Sequence, residues 1–326
     1  MEPTPGDVHV DRFLTNVSVN YMQRPERFVA DRIFPLIPVS FRSDKIVKLD
    51  KQPWFRRMAK PRAPATESAG GGYTVGSQPY NCEVYAIHKD VDDQTRANTD
   101  SPLAPDRNAT DFVMNQLRLE REIAFFTAYF VTGVWGTEWS GVASDTPDAA
   151  AYEVEQWDRA GSTPIADVIG RCTDVQELCG WRPNVGVMQR HVFDALKTNA
   201  DIVSRVQYTS RDSIDTAILA RLFELDDLMI TDAVYDSANE GADPSMAFVG
   251  GKNMLLAYRT STPALDMPSA GYIPSWTGYL GASAFGTRVK KFRMEHLNSD
   301  RVEGELAYDM LPVCTDAAAF LLDVVG

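Results

Sequence analysis

The residues that could do chemistry are few and poorly spaced for it. Gly250-Gly251-Lys252-Asn253 has the outline of a phosphate loop, in which backbone amides cradle phosphate oxygens. Position 246 is Met where that loop needs Gly, and Asn253 stands where a Ser or Thr hydroxyl would bind magnesium. The run therefore reads as a turn at a strand end. Gly281-Ala282-Ser283-Ala284-Phe285-Gly286 has the wrong spacing for a nucleophile elbow. His9, His88, His191 and His296 are scattered, so each reads as a surface or satisfied core residue and not as a ligand. Asp236, Asn239, Glu240 and Asp243 offer oxygens for calcium, but not at the spacing of an EF-hand loop. The expectation is a chain that is not an enzyme, with no catalytic residue, cofactor or metal.

One concentration of charge remains. Lys51, Arg56, Arg57, Lys60 and Arg62, with Lys48 just before them, lie in a turn-rich stretch closed by Gly70-Gly71-Gly72. They could contact phosphates, sit in solvent, or pair with the acidic bulk of another copy of the chain. The net charge of −13 favours the last, because long-range complementarity sets register between subunits. The same charge argues against a broad nucleic-acid grip and suits a container wall that does not stick to a polyanion inside it.

The elements that would position these cations follow from the hydrophobic periods. Lys45 to Asp50 alternates as a half-buried strand, and Tyr80 to Val91 alternates again, with Cys82, Val84 and Ala86 on one side. Together they predict a long hairpin with a cationic tip. Such a hairpin is marginal alone and calls for a neighbour. Asn108 to Gly133 predicts the longest helix, over 108–132, with Asn108 or Thr110 as cap and Gly133 as stop. Its core face would carry Phe112, Leu119, Ile123, Phe126 and Phe130, with Val113, Leu117, Ala124 and Ala128 also at helical spacing. Arg118, Glu120, Arg121 and Glu122 interrupt the apolar face only on one side, with Arg118 on the wet side of the helix.

Before the hairpin, residues 1–32 read as an extended arm, and Pro35 and Pro38 inside the apolar run Ile33 to Val39 fit an edge or extended crossing segment. Trp135, Trp139 and Trp157 cluster after the long helix, as core or as an interface anchor. Helices from Thr163-Pro164 to Leu178, His191 to Thr198 and Ser213 to Phe223 alternate with strands at 183–189, 227–235 and 246–250, which predicts an α/β unit. Gly271 to Gly286 reads as a loop, Arg288 to His296 and Glu303 to Leu311 as a hairpin, and Ala317 to Val325 as a last strand.

Composition allows all this. The chain has 326 residues, 44% hydrophobic and 24% charged, enough for two domains of an ordinary globular protein. No apolar run is long enough to cross a bilayer, so no membrane partner is expected. Met1 to Asp7 is acidic and proline-rich, unlike a signal peptide, and four dispersed cysteines suit a reducing compartment.

The order of parts resembles the major capsid proteins of tailed bacteriophages, the shell fold named after the Hong Kong coliphage. The likeness is carried by Arg62-Ala-Pro-Ala-Thr-Glu-Ser-Ala-Gly-Gly-Gly-Tyr73, Tyr85 to Asp93, Ala109 to Val113 into Arg121-Glu122, Asp158 to Val168, and Arg182 to Met188. It covers nearly the whole chain and is strongest over 28–130. The resemblance implies an α+β fold with an N-terminal arm (1–44) and an extended β-hairpin loop (45–95). It also implies a peripheral domain (96–160 and 286–326) with the spine helix, and an α/β axial domain (161–285). It further implies a structural protein that self-assembles into hexamers and pentamers of an icosahedral shell around double-stranded DNA, without sequence-specific contact. Scaffolding, portal and decoration proteins would be its partners, and the virion its location after assembly in the host cytoplasm. The alternative is the shell of a cellular nanocompartment of the same fold.

Overall fold

The computed structural model describes residues 23–99, 104–207, 214–239, 241–262, 267–281 and 287–326. Most of the expected arm, Glu240, and the end of the glycine-rich stretch after Gly281 lie outside the described residues. The strands run β1 (Leu36–Val39), β2 (Ser43–Leu49), β3 (Val75–Asn81), β4 (Glu83–Asp92), β5 (Thr137–Val142), β6 (Glu153–Glu155), β7 (Val185–Gln189), β8 (Asp227–Thr231), β9 (Val234–Asp236), β10 (Met246–Phe248), β11 (Met254–Ala257), β12 (Gly271–Trp276), β13 (Thr287–Met294), β14 (Ser299–Tyr308), β15 (Leu311–Pro312) and β16 (Ala318–Leu322). The helices used below are α1 (Ala30–Ile33), α2 (Lys51–Phe55), α3 (Asp93–Ala97), the spine α4 (Pro105–Tyr129), α5 (Pro164–Cys179), α6 (Arg190–Thr198), α7 (Ala200–Val206), α8 (Thr216–Leu222) and α9 (Thr277–Leu280).

Two six-stranded sheets are joined by the spine helix. In the first, β14 is the hub, with β13 antiparallel on one side and β4 antiparallel on the other, Gly304 facing both Val289 and Ile87. β12 joins at Tyr308, and the proline-bearing β1 lies parallel to β12 as an edge strand. The spine crosses this sheet at Gly304, where a side-chain Cβ would fall 2.3 Å from Val113 Cγ1. Gly304 is therefore what lets helix and strand close up, and Gly304→Val should cost at least the ~1–3 kcal/mol of an overpacked core. A thermal melt of the unassembled subunit checks this.

The second sheet has the order β6-β5-β16-β11-β7-β8 and mixes parallel with antiparallel pairs. Its central strands are apolar up to Gln189 at the end of β7, because both faces are covered. Met188, Leu256, Ala319 and Leu321 face the core under α5 to α8, where Ile165, Val168, Cys172, Val175 and Cys179 form a stripe at spacings of three and four. Val187, Leu255, Ala318 and Phe320 face the other way, into a core shared with Phe34, Phe125, Phe126 and Phe130. The spine thus packs its first half on one sheet and its last turns on the other.

Three expectations need correction. The ribbon pairs β2 with β3, Ser43↔Asn81 to Leu49↔Val75, whereas β4 belongs to the first sheet through β14. The switch falls at Cys82, which is fully buried and donates its amide to Arg42 O at 2.8 Å. The inward phase changes there from Tyr80 and Cys82 to Tyr85, Ile87 and Val91, leaving Val84 exposed, so one alternation read across the corner is misleading. Gly271–Trp276, expected as loop, is a buried strand, with Gly271 seated under the Phe34 ring. The spine begins at Pro105, the favoured first-turn position for proline, and ends at Tyr129, while Gly133 (φ 89°) serves the turn beyond. β5, β6 and β16 lie in the second sheet and β12 in the first.

Candidate functional site

Among the described residues no three His, Cys, Asp or Glu side chains are placed to hold a metal ion. His88, His191 and His296 are exposed and apart. Gly250 and Gly251 form a turn with φ of 108° and 75°, and Asn253 Oδ1 accepts the Asp323 amide at 2.9 Å. The Asp236 carboxylate caps its own turn by accepting from the amides of Ala238 and Ser245, which hold its pKa below the usual range. What remains is a surface and the scaffold that presents it.

On the spine, Phe126 and Phe130 are buried, each 3% exposed, and Leu119 and Ile123 are half-buried against the same core. Phe112 is not in the core: it is 47% exposed. The buried line steps through Ala109, Val113, Leu117, Arg121, Glu122, Phe125 and Phe126, and Phe112 lies one residue, about 100°, off it. Arg121 and Glu122, expected only to interrupt the apolar face on one side, stand in the middle of that line.

Glu122 is fully buried. Its carboxylate accepts the Val29 and Ala30 amides at 3.0 Å at the start of α1, and the Thr231 hydroxyl at 3.4 Å from β8. Beside it Arg121 pairs with Asp31 at 2.7 Å. Gln23 adds a two-way bond with Val234. Residues 29–31 are thereby clasped to the spine and the second sheet at once. Burial raises the Glu122 pKa to about 7, against the lowering effect of the Ala30 and Val29 amides. A raised carboxyl pKa contributes stability that is present below the unfolded value and is lost as pH rises through the folded one. Wild type should thus lose about 1.4 kcal/mol per pH unit, relative to Glu122→Gln, between about pH 4.5 and 7. Paired melts across that range check it; parallel curves would refute the clasp's titration. The sequence signal for this clasp was a charged pair in phase with an apolar stripe.

The ribbon carries the predicted cations. Arg56, Arg57, Lys60 and Arg62 are exposed and make no ion pair among the described residues, Arg62 bonding only to Thr66 O. Lys51 differs: it pairs with Asp316 of its own chain and donates to Leu178 O at 3.3 Å. The cations are interleaved with aromatics that charge-based reasoning passed over. Trp54 and Tyr73 are 62% and 61% exposed with ring centroids 5.6 Å apart, and Phe55 is 64% exposed. Val47 and Val75 extend this apolar face along the ribbon, while Ile46 and Tyr80 on the opposite face pack onto the body. Neither β2 nor β3 has a second pairing partner. Exposed aromatics beside unpaired cations are the composition of a recognition surface.

No family model matches the chain. The major capsid protein of Pseudomonas phage JBD67 is 24% identical over 259 residues, 77% of each chain. Among solved structures, a phage-related protein from Bordetella bronchiseptica superposes with a TM-score of 0.68 at 19% identity, covering 93% of this chain and 94% of that one. The capsid of cyanophage P-SCSP1u gives 0.63 at 11% identity, covering 99% and 95%. The SrpI encapsulin complex from Synechococcus elongatus gives 0.58 at 13%, covering 97% and 95%. The fold is that of phage and encapsulin shells.

Proposed function

We infer that this chain is a phage major capsid protein, built on the shell fold named after the Hong Kong coliphage, and that copies of it close an icosahedral shell. Hexamers and pentamers of the chain enclose double-stranded DNA without sequence-specific contact. The observation that carries this is the ribbon: one face, with Ile46 and Tyr80, packs on the body, while the other presents Trp54, Tyr73 and the cations Arg56, Arg57 and Lys60 to solvent, a face that a neighbouring copy would cover. The relative among phage capsid proteins supports the same reading.

In this assignment residues 1–42 are the arm and 43–81 the extended loop, since β4 is part of the body. The first sheet with the spine is the peripheral domain. The second sheet with α5 to α8 is the axial domain around the capsomer centre, including β5, β6 and β16. The protein's role is structural and not enzymatic. Scaffolding and portal proteins, and decoration proteins, are its further partners; it assembles in the host cytoplasm and ends in the virion.

Reversing Arg56, Arg57 and Arg62 to Glu should slow assembly at low salt and matter less as salt screens charges over ~8–10 Å. Light scattering at several salt concentrations checks this, and identical kinetics throughout would count against the cationic contact. The encapsulin likeness supports a second reading, a nanocompartment shell with protein cargo. Particles that purify with an enzyme and no DNA would favour it.

A further inference from the structure

We propose that β4, an outer strand of the first sheet, joins the β4 of a second copy in an antiparallel pair centred on Ala86, so that two subunits share one continuous sheet. Resting on the shell reading, this pairing supplies a contact between bodies in which the ribbon takes no part. β4 pairs with β14 without a gap from Glu83↔Tyr308 to Asp92↔Ser299, and has no other partner among the described residues. Asp93 donates its amide to Asn298 O at 3.1 Å, which sets the phase of that ladder. Alternate residues, Val84, Ala86 and His88, therefore turn their N–H and C=O groups outward. All three are exposed, and their outward groups meet no backbone partner among the described residues. A long exposed edge without proline is a template for another strand.

The opposite edge of the sheet is guarded. There β13 presents Arg288, Lys290, Lys291 and Arg293 with no acidic residue on the strand. Ion pairs with Glu305, Asp106 and Asp93 hold these four side chains in place. An incoming strand would meet a row of fixed cations, which deters pairing. β4 carries a single lysine, Lys89.

The occupant is a second copy because β4 is complementary to itself. Paired about Ala86, Glu83 faces Lys89 at both ends, Tyr85 faces Ile87, and Val84 faces His88. Glu83 and Lys89 are exposed and form no ion pair among the described residues. Tyr85 and Ile87 are half-buried against the core, and the Tyr85 ring is held by stacking on Tyr308 at 5.2 Å. A facing strand would cover what remains of both. Opposite charges and apolar pairs directly across an antiparallel ladder favour it, and like charges oppose it. Sliding the register until the strand ends meet would set Glu83 against Asp92 instead. The contact is isologous, the same patch on both copies about a two-fold axis.

Cysteine cross-linking tests the register. Residues opposite each other in a hydrogen-bonded antiparallel pair have Cα atoms about 5.5 Å apart, a span that a disulfide fits. With oxidised glutathione as oxidant, particles of Ala86→Cys should run as covalent dimers on a denaturing gel without reductant. Val84→Cys should not, because its own counterpart lies roughly 14 Å along the pair. Wild type under the same oxidant controls for the four native cysteines. Glu83→Lys and Lys89→Glu should each slow particle formation about tenfold, and the double variant should recover most of the rate. All four positions are exposed, so melts of the subunits should match wild type. Particles without the Ala86→Cys dimer, or charge reversals that assemble at the wild-type rate, would overturn the pairing and leave the shell reading standing. A wild-type chain that builds no particles would instead remove the shell reading, and this contact with it.

Discussion

Phe126→Ala should cost the free subunit about 3–5 kcal/mol, a large part of a stability of order 5–15 kcal/mol. The ring is 3% exposed and packs against Phe130 at 4.5 Å and Phe125 at 5.4 Å. The Gly250 turn lies so close that a Cβ there would fall 2.3 Å from Phe126 Cδ1, so the lost volume cannot be refilled by a small side-chain shift. Phe126 also sits where the spine passes from the first sheet to the second. The variant should melt well below wild type, and shells should fail before subunits unfold. Phe112→Ala on the same helix is the control: its ring is 47% exposed, and the change should stay within about 0.5 kcal/mol. Thermal melts with particle counts by microscopy read both. Equal melting of Phe126→Ala and wild type would mean that the spine does not join the two sheets.

Replacing residues 50–74 by a tight turn between Leu49 and Val75 should leave the body folded and abolish shells. Ile46, Tyr80 and Cys82 hold the ribbon root through Leu311, while the segment removed is exposed almost throughout. What the deletion takes from the body is a few exposed contacts: the Lys51 pair with Asp316, worth at most about 1 kcal/mol, the Lys51 bond to Leu178 O, and the Phe55 ring beside Gly180. Circular dichroism should therefore be near wild type while particle yield falls to background. Normal particles from the deletion variant would mean that the tip is not a contact.

The fold was legible where one physical signal acted alone. The stripe from Ile165 to Cys179 and the apolar runs of β7 and β11 need no tertiary information, because each is one period over one environment. Reading failed where two environments meet within a few residues. At Cys82 the chain turns from ribbon to sheet and the inward phase slips by one residue. On the spine, Arg121 and Glu122 carry charge but sit on the buried line, because α1 and β8 bring amides and a hydroxyl to them from distant sequence. No local pattern announces a partner some ninety residues away. Gly271–Trp276 looked like loop for a similar reason: its glycine, proline and serine fit a strand only once the Phe34 ring and β1 are beside it. The loop's cations were visible as charge. Their aromatic companions gained meaning only when the ribbon was found to bury one face and expose the other.

The most direct test of the central claim is electron microscopy of the purified chain, concentrated with and without a scaffolding protein. The account predicts closed particles with icosahedral symmetry, in which a neighbouring subunit covers the exposed face of the 43–81 ribbon with Trp54 and Tyr73. A chain that remained monomeric at every concentration in both conditions, or particles in which the exposed face of the ribbon stayed uncovered, would contradict it.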